Sequence, residues 1–220
     1  MNLEQFHHSI RASRDVLHHK GASGALVIMG SQSILASYSA LVLDRALVIS
    51  VEVDILPVAR DRSEIERLSD HLDGSLGQDS RFHEAFGFYV DGISIETSVL
   101  PGDWIDRLIP EVDPDSGATG WCLDPHDLAV AKLIAGRPKD NDFVDILVVQ
   151  RLVDPVVVRE GLLGLDDPRA ARALGRLEAV AASGLPKAAR ARWHRDRERA
   201  LSDRRERTSE KPPTDDLRGL

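Results

Sequence analysis

One stretch, Leu26–Pro57, constrains this chain more than any other. It reads LVIMG-SQSILASYSAL-VLDRALVIS-VEVDILP. An apolar run, Leu26 to Met29, stops at Gly30-Ser31, and a helix-like segment follows. After a short connection comes Val51-Glu52-Val53-Asp54-Ile55-Leu56. Residues two apart in a strand point the same way. Glu52 and Asp54 are therefore expected on one face, with Val53 and Ile55 turned to a core. Two adjacent carboxylates repel, so such a pair serves either solubility or a cation. The pattern is read here as a cation site.

The corner before this strand suits an anion. Ser is a good N-cap, and Gly lets a ligand's backbone or phosphate approach closely. Ser31 and Ser33 are the natural hydroxyls to bond phosphate oxygens at a helix N-terminus, where free N–H groups and the dipole favour negative charge. An ordinary strand-to-helix corner would look the same.

Further along, Asp91-Gly92 is a hairpin-type turn signal. Ile93, Ile95, Thr97 and Val99 then alternate with Ser94, Glu96, Ser98 and Leu100, which predicts a strand. Placed beside Val51–Leu56, that strand brings Glu96 to Glu52 and Asp54 as a third carboxylate. Three acids around one point cannot all stay ionised without counter-charge. Two-metal phosphoryl or nucleotidyl transfer uses such an arrangement; a solvent-facing glutamate on an edge strand is the alternative. Phe82–Tyr89 (FHEAFGFY) gathers much of the aromatic content and is read as core rather than a base-stacking platform. His83 within it is expected to be hydrogen-bonded.

Asp124-Pro125 opens a helix, Asp124 as N-cap and Pro125 at the first helical position. Lys132 falls inside its apolar run, Leu128-Ala-Val-Ala-Lys-Leu-Ile-Ala. A lysine there is costly to bury unless it snorkels or meets an anion, and the anion is the reading taken here. Gly136-Arg-Pro-Lys breaks the helix, and Asp140 is expected to cap the next one. Leu3–His19 fits an amphipathic helix; its His7-His8 and His18-His19 pairs could suggest a metal, but adjacent residues on a helix do not face one another, and a solvated face is the reading taken. Arg60–Asp73 has Ile65, Leu68 and Leu72 at helical spacing and is expected to end near Gly74. Arg190–Glu206 reads as a helix laced with Arg, Asp and Glu.

The bulk numbers set limits. A chain of 220 residues can bury a real core. At 42% hydrophobic and 29% charged it has a soluble globular composition. No apolar run approaches the length of a membrane span, and the start lacks the apolar region of a signal peptide. One cysteine, Cys122, rules out an internal disulfide and a cysteine-rich zinc site and fits a cytoplasmic protein. The net charge of −8 is uneven: from Pro186 onward there are 11 basic and 7 acidic residues, against 17 and 29 before it. An acidic body argues against broad affinity for nucleic acid.

Taken in order, a hydrophobic strand ends in Gly-Ser, a helix follows, and acid-x-acid stands on the next strand. A further acid comes later, then the helix LDPHDLAVAKLIAGRPKDNDFVDIL. Together these resemble the nucleotidyltransferase (DNA polymerase β-like) superfamily. More narrowly, the chain resembles a bacterial group of uncharacterised nucleotidyltransferase-like proteins sharing SVEVDILP, FHEAFGFYVDGISIETSVLPGDW and AKLIAGRPKD. A more distant similarity reaches nucleotidyltransferase toxins of abortive-infection and toxin–antitoxin systems. The resemblance spans roughly Ala25 to Val153.

It implies an α+β (α/β) fold, a mixed sheet flanked by helices with a helical C-terminal region. The expected organisation is a core over 1–120, helices packed on it over 121–205, and a disordered tail over 206–220. By the same resemblance Gly30 and Ser31 grip a triphosphate, and Glu52 and Asp54 bind Mg²⁺ or Mn²⁺ with Glu96 as third acid. Lys132 contacts phosphate, Asp140 is a further acid of that motif, and Arg137 and Lys139 add positive charge. The implied reaction transfers a nucleoside monophosphate from an NTP to a hydroxyl acceptor. Relatives suggest tRNA as the acceptor and an antitoxin protein as partner. Two departures stand out, Glu52 and Glu96 where Asp is usual, and they support an alternative: an inactive fold serving as a binding or antitoxin-like module.

Overall fold

Leu26, Val27 and Ile28 are all fully buried, as the apolar run predicts, and form the middle strand, β1 (Leu26–Ile28). The computed structural model describes residues 1–38, 47–182 and 213–218. On one side β1 pairs antiparallel with β2 (Glu52–Pro57), and β2 pairs parallel with β3 (Tyr89–Gly92). On the other side it pairs parallel with β5 (Thr119–Cys122), whose antiparallel neighbour is β4 (Ile109–Val112). The order is β3-β2-β1-β5-β4. The sheet is mixed, as expected, and helices flank it.

Helix α1 (Leu3–His19) starts with a capping box: the Asn2 side chain accepts from the Gln5 amide, and the Gln5 side chain accepts from that of Asn2. Phe6, Ile10 and Leu17 are buried, and the helix packs on α3 (Arg62–Leu76) and on β2 and β3. His7 pairs with Glu111 at 2.8 Å and Arg11 with Asp113 at 2.7 Å, tying the helix to β4 and the turn after it. His8 packs edge-on to Phe86, with ring centroids 4.4 Å apart. These two histidines therefore serve packing rather than a solvated face; His18 and His19 are exposed. Helix α3, with the short α4 (Arg81–Phe86) after it, buries Ile65, Leu68, Leu72 and Leu76. It runs through Gly74 and stops at Gly77, one turn further than its last predicted apolar position requires.

The region after Tyr89 departs from expectation. Asp91-Gly92 is not a hairpin turn, and Ile93–Leu100 is not a strand. Tyr89–Gly92 is itself the strand, and Ile95–Thr97 is a single 3-10 turn. Two contacts explain this. Val90 is fully buried opposite Val53, which gives the strand its core face. Gly92 lies under α3, where a Cβ would stand 2.4 Å from the Ser69 carbonyl oxygen. That glycine provides close helix-to-strand approach, not a turn.

The C-terminal region is helical. It comprises α5 (Pro125–Ala135), α6 (Pro138–Val149), α7 (Pro155–Leu163) and α8 (Ala170–Ala182). Helix α5 is apolar almost all round and packs against the other three, the placement expected of such a helix. The 120/121 boundary falls inside β5, because Trp121 and Cys122 pair with β1; the helices begin at Pro125. Within the predicted disordered tail, Thr214–Arg218 forms a short helix whose Leu217 is buried beside the turn Trp104–Arg107. The predicted helix Arg190–Glu206 lies outside the described residues. Among those described, no helix is long and apolar enough to cross a membrane.

Gly92→Ala should cost about 1–3 kcal/mol, the usual range for overpacking, because the clash is with backbone of α3. Urea unfolding checks this; an unchanged midpoint would show that α3 does not press on the strand.

Candidate functional site

Parallel pairing sets Glu52 opposite Tyr89 and Asp54 opposite Asp91. Directly paired residues share a face, so Glu52, Asp54 and Asp91 gather on one side while Val53, Val90 and Ile55 are buried on the other. Ligand atoms of the three acids lie within 4.8 Å of one another. At that spacing two ionised carboxylates repel by about 3 kcal/mol at an effective dielectric near 20. The consequence shows at Asp54. Burial, with Glu52 and Asp91 adding repulsion and Lys132 opposing, pushes its carboxyl up to about 6. Asp91 is raised too, first by burial and then by Asp73 and Glu52.

The third acid is thus Asp91, not Glu96. Glu96 sits on the 3-10 turn and pairs at 2.8 Å with Arg62, both side chains exposed. A signal for Asp91 was present in the sequence. Tyr89-Val90-Asp91 repeats the alternation of Glu52-Val53-Asp54, and the Asp-Gly turn signature masked it.

Gly30 completes the wall of the site. A Cβ there would lie 1.6 Å from Asp54 Oδ2, so only glycine admits the carboxylate. Gly30, not Ser31, occupies the N-cap position, with no side-chain cap. The 3-10 turn Ser31–Ser33 follows, then α2 (Ile34–Tyr38). Ser31 is half-buried. Ser33 is fully buried, and its hydroxyl has no partner among the described residues.

Two cations feel the acids electrostatically, Lys132 through Asp54 and Arg137 through Asp54 and Glu52. Lys132 meets an anion, as its apolar surroundings demand, and that anion is Asp140, 3.2 Å away; its ammonium also lies 4.7 Å from the Phe143 ring centre. Arg137 Nε donates to Asp140 at 2.5 Å. Asp140 does not cap α6. Arg137 holds the N-cap position and Pro138 the first, which leaves Asp140 inside the first turn. Burial would raise Asp140, but the bonds from Arg137 and Lys132 outweigh it and hold the carboxyl below its ordinary value. Burial lowers Lys132, with Asp140 and Asp54 opposing. The two directions pull against each other for one ion pair. Two cations converging on a buried carboxylate decide for the charged form. Lys139 is exposed.

Elsewhere, a cavity of about 580 Å³ is lined by Asp103, Arg107, His126, Asp127, Glu160 and Gly161 among others, and none of the three clustered acids lines it. Its inner groups are committed to one another. Arg107 donates twice to Asp127, at 2.9 and 2.7 Å. His126 Nε2 accepts the Asp154 amide at 3.1 Å, which leaves Nδ1–H to donate to Asp124 at 2.7 Å. Burial lowers His126 to about 4, so it stays neutral and ties α5 to α7.

A family model described as "Nucleotidyltransferase of unknown function (DUF6036)" matches residues 5–162. The chain belongs to that family. No curated protein and no solved structure matches it. For a nucleotidyltransferase the carboxylate group is the part that fits a divalent metal. Three oxygen donors converge, hard ligands suited to a divalent cation, and their mutual repulsion calls for positive charge.

The raised Asp54 has a linkage consequence. A carboxyl whose folded value lies above its unfolded value holds extra protons in the folded state between about pH 4 and 6. It therefore destabilises the fold once pH exceeds that window. Asp54→Asn should gain about 1–3 kcal/mol at pH 7 and nothing below pH 4, read by urea unfolding at both. Added Mg²⁺ should stabilise the wild type at pH 7 and not the variant. A gain that is equal at both pH values would dismiss the charge cluster as its source.

Proposed function

We propose that this nucleotidyltransferase moves a nucleoside monophosphate from an NTP to a hydroxyl acceptor. The observation that carries the reading is the convergence of Glu52, Asp54 and Asp91 beside the Gly30 corner. These three would hold Mg²⁺ or Mn²⁺, which when bound supplies Lewis-acid charge for the triphosphate and lowers the acceptor hydroxyl's pKa. Lys132 and Arg137 offset charge on the phosphates from the side of α5 and α6. Asp140 holds both cations in place through direct bonds, so they are oriented before substrate arrives. Gly30 leaves room for the Asp54 carboxylate at the end of β1, and Ser31 offers the hydroxyl at that corner.

The alternative of an inactive binding or antitoxin-like module rested on two Glu-for-Asp differences. With Asp91 as third acid, one of the two disappears. The acceptor follows from the resemblance to toxin relatives: the 3′ end of tRNA, with a separately encoded antitoxin as partner. Fold-level analogy is its only support.

Transfer of label from α-labelled NTPs to total RNA or protein tests the reaction. Asp54→Ala and Asp91→Ala should abolish labelling, Lys132→Met should lower it at least about a hundredfold, and Glu96→Gln should leave it within about twofold, since exposed ion pairs contribute little. Labelling that survives in Asp91→Ala but not in Glu96→Gln would restore the original third acid.

A further inference from the structure

Resting on that reading, we infer that Tyr89 is a positioning residue for Glu52, the hydroxyl clamp that lets a glutamate stand where a shorter acid would otherwise be used. Tyr89 lies directly across the β2–β3 pairing from Glu52, and its hydroxyl donates to Glu52 Oε2 at 3.2 Å. A glutamate has one more rotor than an aspartate, so its carboxylate is freer and costs more to order around an ion. The phenol removes that freedom at one oxygen and leaves the other for the cation.

The clamp is itself held. The Tyr89 amide donates to the Val51 carbonyl at 2.9 Å. The ring packs against His83 with centroids 5.0 Å apart, and His83 Nδ1 accepts the Asp79 amide at 3.1 Å. His83 is thus hydrogen-bonded, as its sequence context suggested, and it steadies the aromatic ring beside the acids. A phenol carries its proton at neutral pH, so Tyr89 is the donor of this bond.

Length matters to the argument. Shortening Glu52 to aspartate withdraws the carboxylate by about 1.5 Å, one carbon–carbon bond, and a contact already at 3.2 Å opens beyond hydrogen-bond range. Tyr89 should therefore matter only when residue 52 is the longer acid.

Mn²⁺ binding to the full chain without nucleotide, followed by electron paramagnetic resonance, reads the clamp apart from turnover. Tyr89→Phe should weaken Mn²⁺ about tenfold, the lower end for a group bonded to a metal ligand. His83→Ala, which loosens the ring without touching Glu52, should give a smaller loss in the same direction. On a Glu52→Asp background, Tyr89→Phe should change affinity by less than about twofold. Wild-type affinity in Tyr89→Phe overturns the inference, and so does an equal loss on both backgrounds, which would mark a merely structural role. If Asp54→Ala abolishes Mn²⁺ binding while Tyr89→Phe leaves it intact, the clamp fails and the metal site stands. If the wild type takes up no Mn²⁺, both fall together.

Discussion

The parallel pairing of β2 with β3 is the constraint on which the site depends. It has one register, Val53 against Val90 and Asp54 against Asp91, and burial explains why that register holds. Val53, Ile55 and Val90 are fully buried, and a one-residue slip of β3 along β2 would turn Val90 to the face now occupied by acids. The hydrophobic effect on one side of the sheet thus forces three carboxylates together on the other. Their repulsion is opposed by Lys132 and by burial of the apolar face, and the misfit remains visible in the raised Asp54 and Asp91. A folded protein that keeps such repulsion at the surface of its sheet is prepared for a cation.

Around this pairing the remaining parts have separable duties. Gly30 and Gly92 act by absence of a side chain, the first admitting Asp54 and the second admitting α3. Helix α5 is buried on nearly every side, so Lys132 has little choice of position, and Asp140 gives its charge a partner from the next helix. The His126 and Arg107 bonds fasten α5 to α7 and to the turn before β4. They belong to the scaffold that carries the cation side of the site. The Lys132–Asp140 pair has a desolvation cost that neither partner alone could offset; Arg137 as a second donor to Asp140 makes the arrangement tolerable.

Several features were legible in advance because they depend on local pattern. The buried run Leu26–Ile28, the alternation around Glu52 and Asp54, and the Asp124-Pro125 start of α5 all follow from side-chain periodicity and capping chemistry. Lys132 in an apolar run could be read as needing an anion, since burying an ammonium alone is so unfavourable. The caps at Ser31 and Asp140 were each misplaced, by one residue and by three. There a Gly and an Arg hold the N-cap positions without a side-chain cap; for the second, Pro138 at the first helical position was the signal that marked the true start.

By itself, then, the order of residues determined that two carboxylates share a strand face, that a glycine corner precedes them, and that a buried lysine needs an acid. Those are statements about neighbours along the chain, within reach of a period of two or of a helical turn. Which distant acid completes the group was decided only by tertiary structure. Asp91 and Glu96 look alike as candidates in one dimension, and Asp-Gly has a strong local preference for turns. Packing of α3 on Gly92 and pairing of Val90 with Val53 overrode that preference, because burying a strand's apolar face outweighs the modest local bias of a dipeptide.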